Sequence, residues 1–402
     1  MSKKKKTCYP INQLCKVIDC EHKTAPYVEL SEYLVVRTNN VRSGILVLDD
    51  IKYTTKESFI EWTQRAVPEY GDVLFTREAP AGETCLVPQT LKVCMGQRMV
   101  LLRPNKDIIN SHFLSFYLTT KECRREIYQY VIGSTVMRIN IDDILQIKIF
   151  CPPIAEQEKI ASFLGAIDKR LTELRRKHEL LQTYKRGVMQ KIFSQEVRFK
   201  GAIGSEFPDW EERDLGDILD FKNGINADKS KYGSGKNFIN VLDVINKSPI
   251  YYDSIIGSME ITEQEFEKND VKYGDILFQR SSEIREEAGQ SNIYLDKNQR
   301  ATFGGFIIRG RPKIIFNPIY FNNLLKTSSI RKEITDRSGG STRFNVGQDS
   351  LKQVPLLLCI SIKEQEKIAD FLTAIDQKIK AIAQQIDRTE RFKKGLLQKM
   401  FV

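Results

Sequence analysis

Two short segments of this sequence carry residue types that chemistry on a nucleobase or a nucleotide would need. An adenine methyltransferase holds its extruded base with an Asn/Asp-Pro-Pro-aromatic run. Asn317-Pro318-Ile319-Tyr320 approaches that run, with isoleucine where the second proline belongs. A methyl donor needs a glycine-rich turn after a strand, and Phe303-Gly304-Gly305-Phe306 lacks the spaced glycines of such a loop. No GxxxxGK[ST] phosphate loop occurs, no acidic cluster suits a nuclease metal site, and three scattered histidines do not suggest a hydrolase. Cys15, Cys20 and His22 have the side chains of metal ligands but no second ligand pair at zinc spacing. The expectation is a chain with no catalytic residue and no metal site.

Composition narrows the partner class. Lys and Arg number 62 against 52 Asp and Glu, a net charge of +10, and a basic excess draws polyanions through its long-range field and through counterion release. Nucleic acid is the natural partner, although many ordinary proteins are this basic. Of eight cysteines, seven fall in the first 151 residues at unpaired spacings, which argues against a disulfide framework. There is no run of eighteen apolar residues, and the cationic start is followed by no hydrophobic stretch. Together these predict a soluble, cytoplasmic protein with no membrane partner.

The candidate side chains must be positioned by elements that occur twice. Residues 156–168 read EQEKIASFLGAID and residues 364–376 read EQEKIADFLTAID, identical at eleven of thirteen positions. KRGVMQKIF (185–193) matches KKGLLQKMF (393–401), and YGDVLF (70–75) matches YGDILF (273–278). Gly133-Ser134-Thr135 pairs with Gly340-Ser341-Thr342, and more weakly LCKVID (14–19) with LGDILD (215–220). A period near 208 residues is a domain duplication, and the drift of its offset gives each half a variable body and a fixed tail.

The tails read as long helices. Ile160, Leu164, Ile167, Leu171 and Leu174 recur at alternating spacings of four and three, as do Ile368, Leu372, Ile375, Ile379, Ile382 and Ile386. These stripes form a helix–helix seam. His178 falls where a seam residue is due and pairs in the repeat with Ile386. After Pro152 and Pro153 the first helix should begin near Ile154 and run to Phe193, about 60 Å at ~1.5 Å per residue. A lone amphipathic helix would simply pack on its own domain; two matching ones are better read as a pair.

The bodies carry β-rich runs such as YLVVRT, RMVLLRP, FIIRGRP and VPLLL between Gly, Asn and Pro turns, with helical stretches at 110–131 and 318–337. The fold class is α+β: two globular bodies separated by two long helices, with internal pseudo-two-fold character. The divisions are 1–151 for the first body, 152–200 for the first spacer helix, 201–210 for a linker, 211–361 for the second body and 362–402 for the second spacer helix.

As a set, EQEKI followed by LxAID, the KxGxxQKxF ending, the YGD[VI]LF strand and the lead-in WEERDLGDI (210–218) resemble the specificity subunit of Type I restriction-modification systems, over essentially the whole chain. The first body departs from the common pattern, carrying IDCEHKTAPY (18–27) in place of a Trp-rich lead-in. The resemblance implies that each body is a target recognition domain and that the helices pack antiparallel as a coiled-coil ruler. It implies double-stranded DNA as ligand and, as partners, two modification (methyltransferase) subunits and restriction subunits. Those partners, not this chain, would bind S-adenosylmethionine, ATP and Mg. A stand-alone N6-adenine DNA methyltransferase and a coiled-coil scaffold are the alternatives.

On that reading several side chains are candidates for DNA contact. Arg77 and Arg280 recur after the YGD[VI]LF strand, although a structural salt bridge would explain them equally well. Arg138 and Asn140 follow one Gly-Ser-Thr segment and Arg343 and Asn345 the other; because they recur in both halves they suit phosphate or structural roles better than sequence choice. Sequence readers are expected where the halves differ, as at Lys23 and Thr24 or Lys222 and Asn223. Lysines 3–6 could bind phosphate loosely from a solvated tail.

Overall fold

A computed structural model describes residues 7–20, 24–226, 228–246 and 248–401. The chain forms two compact units, residues 1–176 with 383–402, and residues 177–382. Both boundaries fall inside long helices, so each unit is one body plus part of each helix.

Unit 1 is built on a four-stranded sheet of β1 (Cys15–Asp19), β2 (Val73–Thr76), β3 (Thr84–Leu86) and β4 (Met99–Pro104) in the order β1-β4-β2-β3, with every neighbour antiparallel. The central strands are apolar on both faces because both faces are covered. Val73, Phe75, Val100 and Leu102 pack under α1 (Ser111–Leu118) and α2 (Lys121–Tyr128). Leu74, Met99 and Leu101 face Leu34, Val36, Val93 and Met95 of a second, smaller sheet. The helical stretch near 110–131 is two helices, because Thr120 caps the second by accepting the Cys123 N–H.

Unit 2 repeats the frame with β5 (Leu219–Asn223), β6 (Ile276–Gln279), β7 (Ser291–Ile293) and β8 (Ile307–Pro312) in the order β5-β8-β6-β7. Phe221, Ile276, Phe278 and Ile308 pack under α4 (Pro318–Leu325) and α5 (Ser328–Asp336), whereas Leu277 and Ile307 face Ile239, Tyr294 and Phe303. The register corrects one sequence pairing. Cys15 lies opposite Pro104 and Leu219 opposite Pro312, so LCKVID and LGDILD are three residues out of step, and β1 corresponds to β5 at an offset of 204.

The first long helix, α3, spans Ile154–Phe193, the span its periodicity predicts, and α6 spans Ile362–Met400. The first spacer therefore stops short of residue 200: Gln195 at φ 62° ends it, as left-handed backbone does after a helix. The glutamine of each EQEKI fastens its helix to the body. Gln157 donates to the Ile108 and Pro152 carbonyls and accepts the Asn110 N–H, while Gln365 donates to the Cys359 carbonyl and accepts the Asn317 N–H.

The apolar stripes face more than a partner helix. In unit 1, Ile160, Leu164, Ile167 and Leu171 join the core of the body, and Ile386, Leu396, Leu397 and Met400 of α6 pack against the same core. In unit 2, Ile368, Leu372 and Ile375 do so together with Ile192, and Val188, Met189 and Ile379 lie against them. Packing on the body and helix pairing are thus both present. Leu174 and Ile382 are also buried, and His178 is half-buried.

The pairing is antiparallel within each unit. Lys393 bonds Asp168 and Arg175 bonds Glu390 in unit 1, and Lys185 bonds Asp376 in unit 2. Phe401, at the end of α6, is buried against Phe113 and Tyr117 of unit 1, and Phe193, at the end of α3, packs on Trp210 and Tyr320 of unit 2.

Replacing Gln365 with alanine would leave the half-buried Asn317 N–H and the buried Cys359 carbonyl without this partner. A loss of about 2 kcal/mol is expected, read as a lower urea midpoint.

Candidate nucleic-acid interface

The YGD[VI]LF strands end where the two halves combine matched backbone with exposed, chemically different side chains. The motif itself is structural. Asp72 accepts the Glu69 N–H and a two-pronged bond from Arg103, and Asp275 accepts the Lys272 N–H and the same arrangement from Arg311. Such paired carboxylate–guanidinium bonds are strong and fix orientation. They lock the strand whose far end carries Arg77 or Arg280.

Beyond that arginine the chain makes a loop that returns at Gly82 in unit 1 and Gly289 in unit 2. Gly82 N–H donates to the Thr76 carbonyl and Gly289 N–H to the Gln279 carbonyl. Both glycines have positive φ, and an added Cβ would lie 2.7 Å from Ile127 Cγ2 or 2.3 Å from Ile334 Cγ2. Arg124 of α2 donates to the Gly82 carbonyl. Arg331 of α5 donates to the Gly289, Ala288 and Glu286 carbonyls, and burial pushes its guanidinium down to about 10. Sequence reading missed this pair, although CRREI (123–127) and IRKEI (330–334) repeat at the offset of the Gly-Ser-Thr segments.

The Gly-Ser-Thr loops pack beside it. Arg77 accepts the Ile139 N–H at its carbonyl and donates from Nε to the Ile139 carbonyl. Arg280 accepts the Val346 N–H, and its Nη1 donates to the Gly305 carbonyl. A third segment joins them: Arg77 N–H donates to the Arg98 carbonyl and Arg280 N–H to the Phe306 carbonyl. Each unit thus gathers three segments around one half-buried arginine.

The backbone corrects the assumed equivalence of the later candidates. Ile132 exchanges both backbone hydrogen bonds with Arg138, and Gly339 does so with Asn345. An added Cβ on Gly133 would meet the Val136 carbonyl oxygen at 2.5 Å, and one on Gly340 the Arg343 oxygen at 2.0 Å. Arg138 therefore corresponds to Asn345 and Val136 to Arg343, so Arg138 does not pair with Arg343, nor Asn140 with Asn345. Arg138, Arg343 and Asn345 are exposed on the loops, with Arg343 3.6 Å from Glu283 and Asn345 Nδ2 bonded to the Arg343 carbonyl. Asn140 instead starts a short helix, its side chain donating to Asp143.

The expected readers away from these loops fare differently. Lys222 lies within β5 and donates its ammonium to the Lys268 carbonyl; desolvation, helped by Arg309, lowers its pKa. Asn223 is exposed at the end of β5, and Thr24 is half-buried. Lys23 and lysines 3–6 lie outside the described residues, as does His22. The segments that suggested catalysis are used up structurally. Asn317 caps α4 and Tyr320 is buried, its hydroxyl accepting the Cys359 N–H. Gly304 and Gly305 donate their N–H groups to the Ile239 and Ile225 carbonyls.

Comparison with known proteins decides the family. The model of the Type I restriction modification DNA specificity domain matches twice, at residues 6–182 and 208–391. The chain belongs to the Type I restriction-modification DNA specificity family. It is 27% identical over 349 residues to a putative type I restriction enzyme MjaX specificity subunit of Methanocaldococcus jannaschii, covering 81% of this chain and 76% of that one. It is 21% identical over 351 residues to the EcoKI specificity subunit of Escherichia coli, covering 84% and 74%. Among solved structures, the S subunit of a type I system from M. genitalium superposes with a TM-score of 0.59 at 17% identity, over 100% of this chain and 97% of that one. This supports the α+β fold of two specificity domains separated in sequence by a long helix.

Substituting Gly340 with alanine would force a Cβ into the Arg343 carbonyl at φ +124°, at a cost of about 1–3 kcal/mol. DNA contact through unit 2 should fall while unit 1 is unaffected, which footprinting of the two half-sites would show.

Proposed function

We propose that this subunit reads a bipartite DNA target, one half-site per unit, and carries no catalysis of its own. It would direct adenine methylation and DNA cleavage by partner modification and restriction subunits. Two modification subunits, one for each repeat, suit the duplicated architecture, and those partners would supply the S-adenosylmethionine, ATP and Mg chemistry in the cytoplasm. The observation that carries the reading is the duplicated loop cluster: the same backbone frame occurs twice with different exposed side chains. A protein that recognised one repeated sequence would have no use for that difference. Lysine and arginine contacts to phosphate would supply affinity, and base-edge contacts the choice of sequence.

The unread gap between half-sites would follow the length of α3 and α6, which are unbroken over 40 and 39 residues. No helix among the described residues is long and apolar enough to cross a membrane.

The test is to coexpress the chain with its methyltransferase partner and map N6-methyladenine across the genome by single-molecule sequencing. One split motif with a fixed gap, lost on deleting this gene, is the expected result. Methylation that ignores the deletion would sink the proposal. Inserting one heptad into each long helix should change the gap while leaving both half-sites as they were.

A further inference from the structure

The corrected register changes which residues distinguish the two units. Three backbone positions surround the shared arginine, Arg77 or Arg280, and are equivalent by their hydrogen bonds and glycine contacts. The first holds Arg98 in unit 1 and Phe306 in unit 2, since each gives its carbonyl to that arginine's N–H. The second holds Val136 and Arg343, the residues whose carbonyls press on Gly133 and Gly340. The third holds Arg138 and Asn345, which close the loop onto residues 132 and 339. All six side chains are exposed.

We propose that these three positions determine sequence specificity in each unit, with Arg77 and Arg280 as the shared brace. The inference rests on the DNA-reading function proposed above. The chemistry then differs by half-site. Arg138 matches the paired acceptors of guanine in the major groove, and Asn345 the donor–acceptor pair of adenine. Phe306, exposed in the turn that leads into β8, offers apolar contact to a thymine methyl, where Arg98 in unit 1 offers a cation held near Glu78 at 3.3 Å. Arg138 has no side-chain hydrogen bond or ion pair among the described residues, and the single bond of the Asn345 side chain is to a carbonyl two residues back, so neither is needed to hold its loop. The backbone that presents them is alike in both units, so the exchange of side chains at these positions is the difference that a half-site can sense.

The exchange variants Arg138→Asn and Asn345→Arg, each in complex with the methyltransferase partner, test this by motif mapping and by competition binding with single-base-substituted targets. Arg138→Asn should lose the guanine requirement at one position of the first half-site, a change in discrimination of about 10- to 100-fold, with the second half-site and the gap unaltered. Asn345→Arg should alter one adenine position of the second half-site only. Unchanged motifs in both variants would overturn the assignment. So would a loss of affinity equal on all sequences with a shallower salt dependence, which marks a phosphate contact. Retained discrimination at the remaining positions of the mutated half-site reports that its unit is folded, and Arg138→Ala gives a second route to the same loss of requirement. If the unaltered complex shows no split motif at all, the DNA-reading function fails before any variant is made; if it shows one that the variants leave intact, only this assignment fails.

Discussion

Phe401 and Phe193 close the bodies that the structure is built around. Phe193 ends α3 and Phe401 directly follows α6, and each is set among aromatics contributed by the unit into which that helix ends: Phe113 and Tyr117 for Phe401, Trp210 and Tyr320 for Phe193. The α1–α2 layer that they cover in unit 1, and the α4–α5 layer in unit 2, is the layer that holds the loops. The unit 1 core is completed from far along the chain, Phe401 lying 288 positions after Phe113, whereas in unit 2 Phe193 lies 127 positions before Tyr320. Aromatic burial of this kind carries much of the energy of a core. The strict repetition of the KxGxxQKxF ending follows from that demand, since both copies must fit pockets of the same kind.

From that layer the constraint passes to the loops through a few polar contacts. Arg124 and Arg331 reach from α2 and α5 to the loop carbonyls, and Ile127 and Ile334 leave room there only for glycine. Arg103 and Arg311 fix the strands that lead in. The units are not copies beyond this frame. Unit 2 adds Asp270, a buried carboxylate ringed by Arg300, Arg311 and Lys272; burial would raise its pKa, but the hydrogen bonds and charge of Arg311 and its neighbours outweigh that and hold it low. Glu364 of unit 2 is likewise buried, accepting from Arg198 and Trp210, whereas Glu156, its partner in the repeat, is exposed. Near-identical motifs thus meet different surroundings at their first residue and the same surroundings at their second, the glutamine.

The sequence made the large features legible because they rest on period and repetition. The span of α3, the strands within YLVVRT, RMVLLRP and FIIRGRP, and the paired helices all follow from hydrophobic spacing. What it hid was register inside the variable bodies. Aligning Arg138 with Arg343 maximises identity, and LCKVID with LGDILD maximises similarity, but backbone equivalence is set by hydrogen bonds and glycine contacts, and in the loops it keeps the offset of the Gly-Ser-Thr segments instead. Lys222 misled for a related reason: a lysine at the end of a strand looks solvated until the Lys268 carbonyl is seen to receive it. The arginines of α2 and α5 were visible as a repeat, yet nothing in the sequence said which of the several arginines there turns inward.

A division of labour follows from where the energy is stored. The groups that hold the loops are buried or braced, so changing them costs kilocalories through unsatisfied carbonyls or lost close packing. The six side chains that differ are exposed, and surface substitutions away from such features typically change stability by no more than about 0.5 kcal/mol. Side chains at those positions are therefore free to vary without endangering the fold, while the two arginines, the two loop glycines and the strand-end salt bridges are not. A duplicated domain under that regime keeps its frame and diverges at its tips, which is the pattern these two units display, and it explains why identity is concentrated in the helices, where packing permits little else.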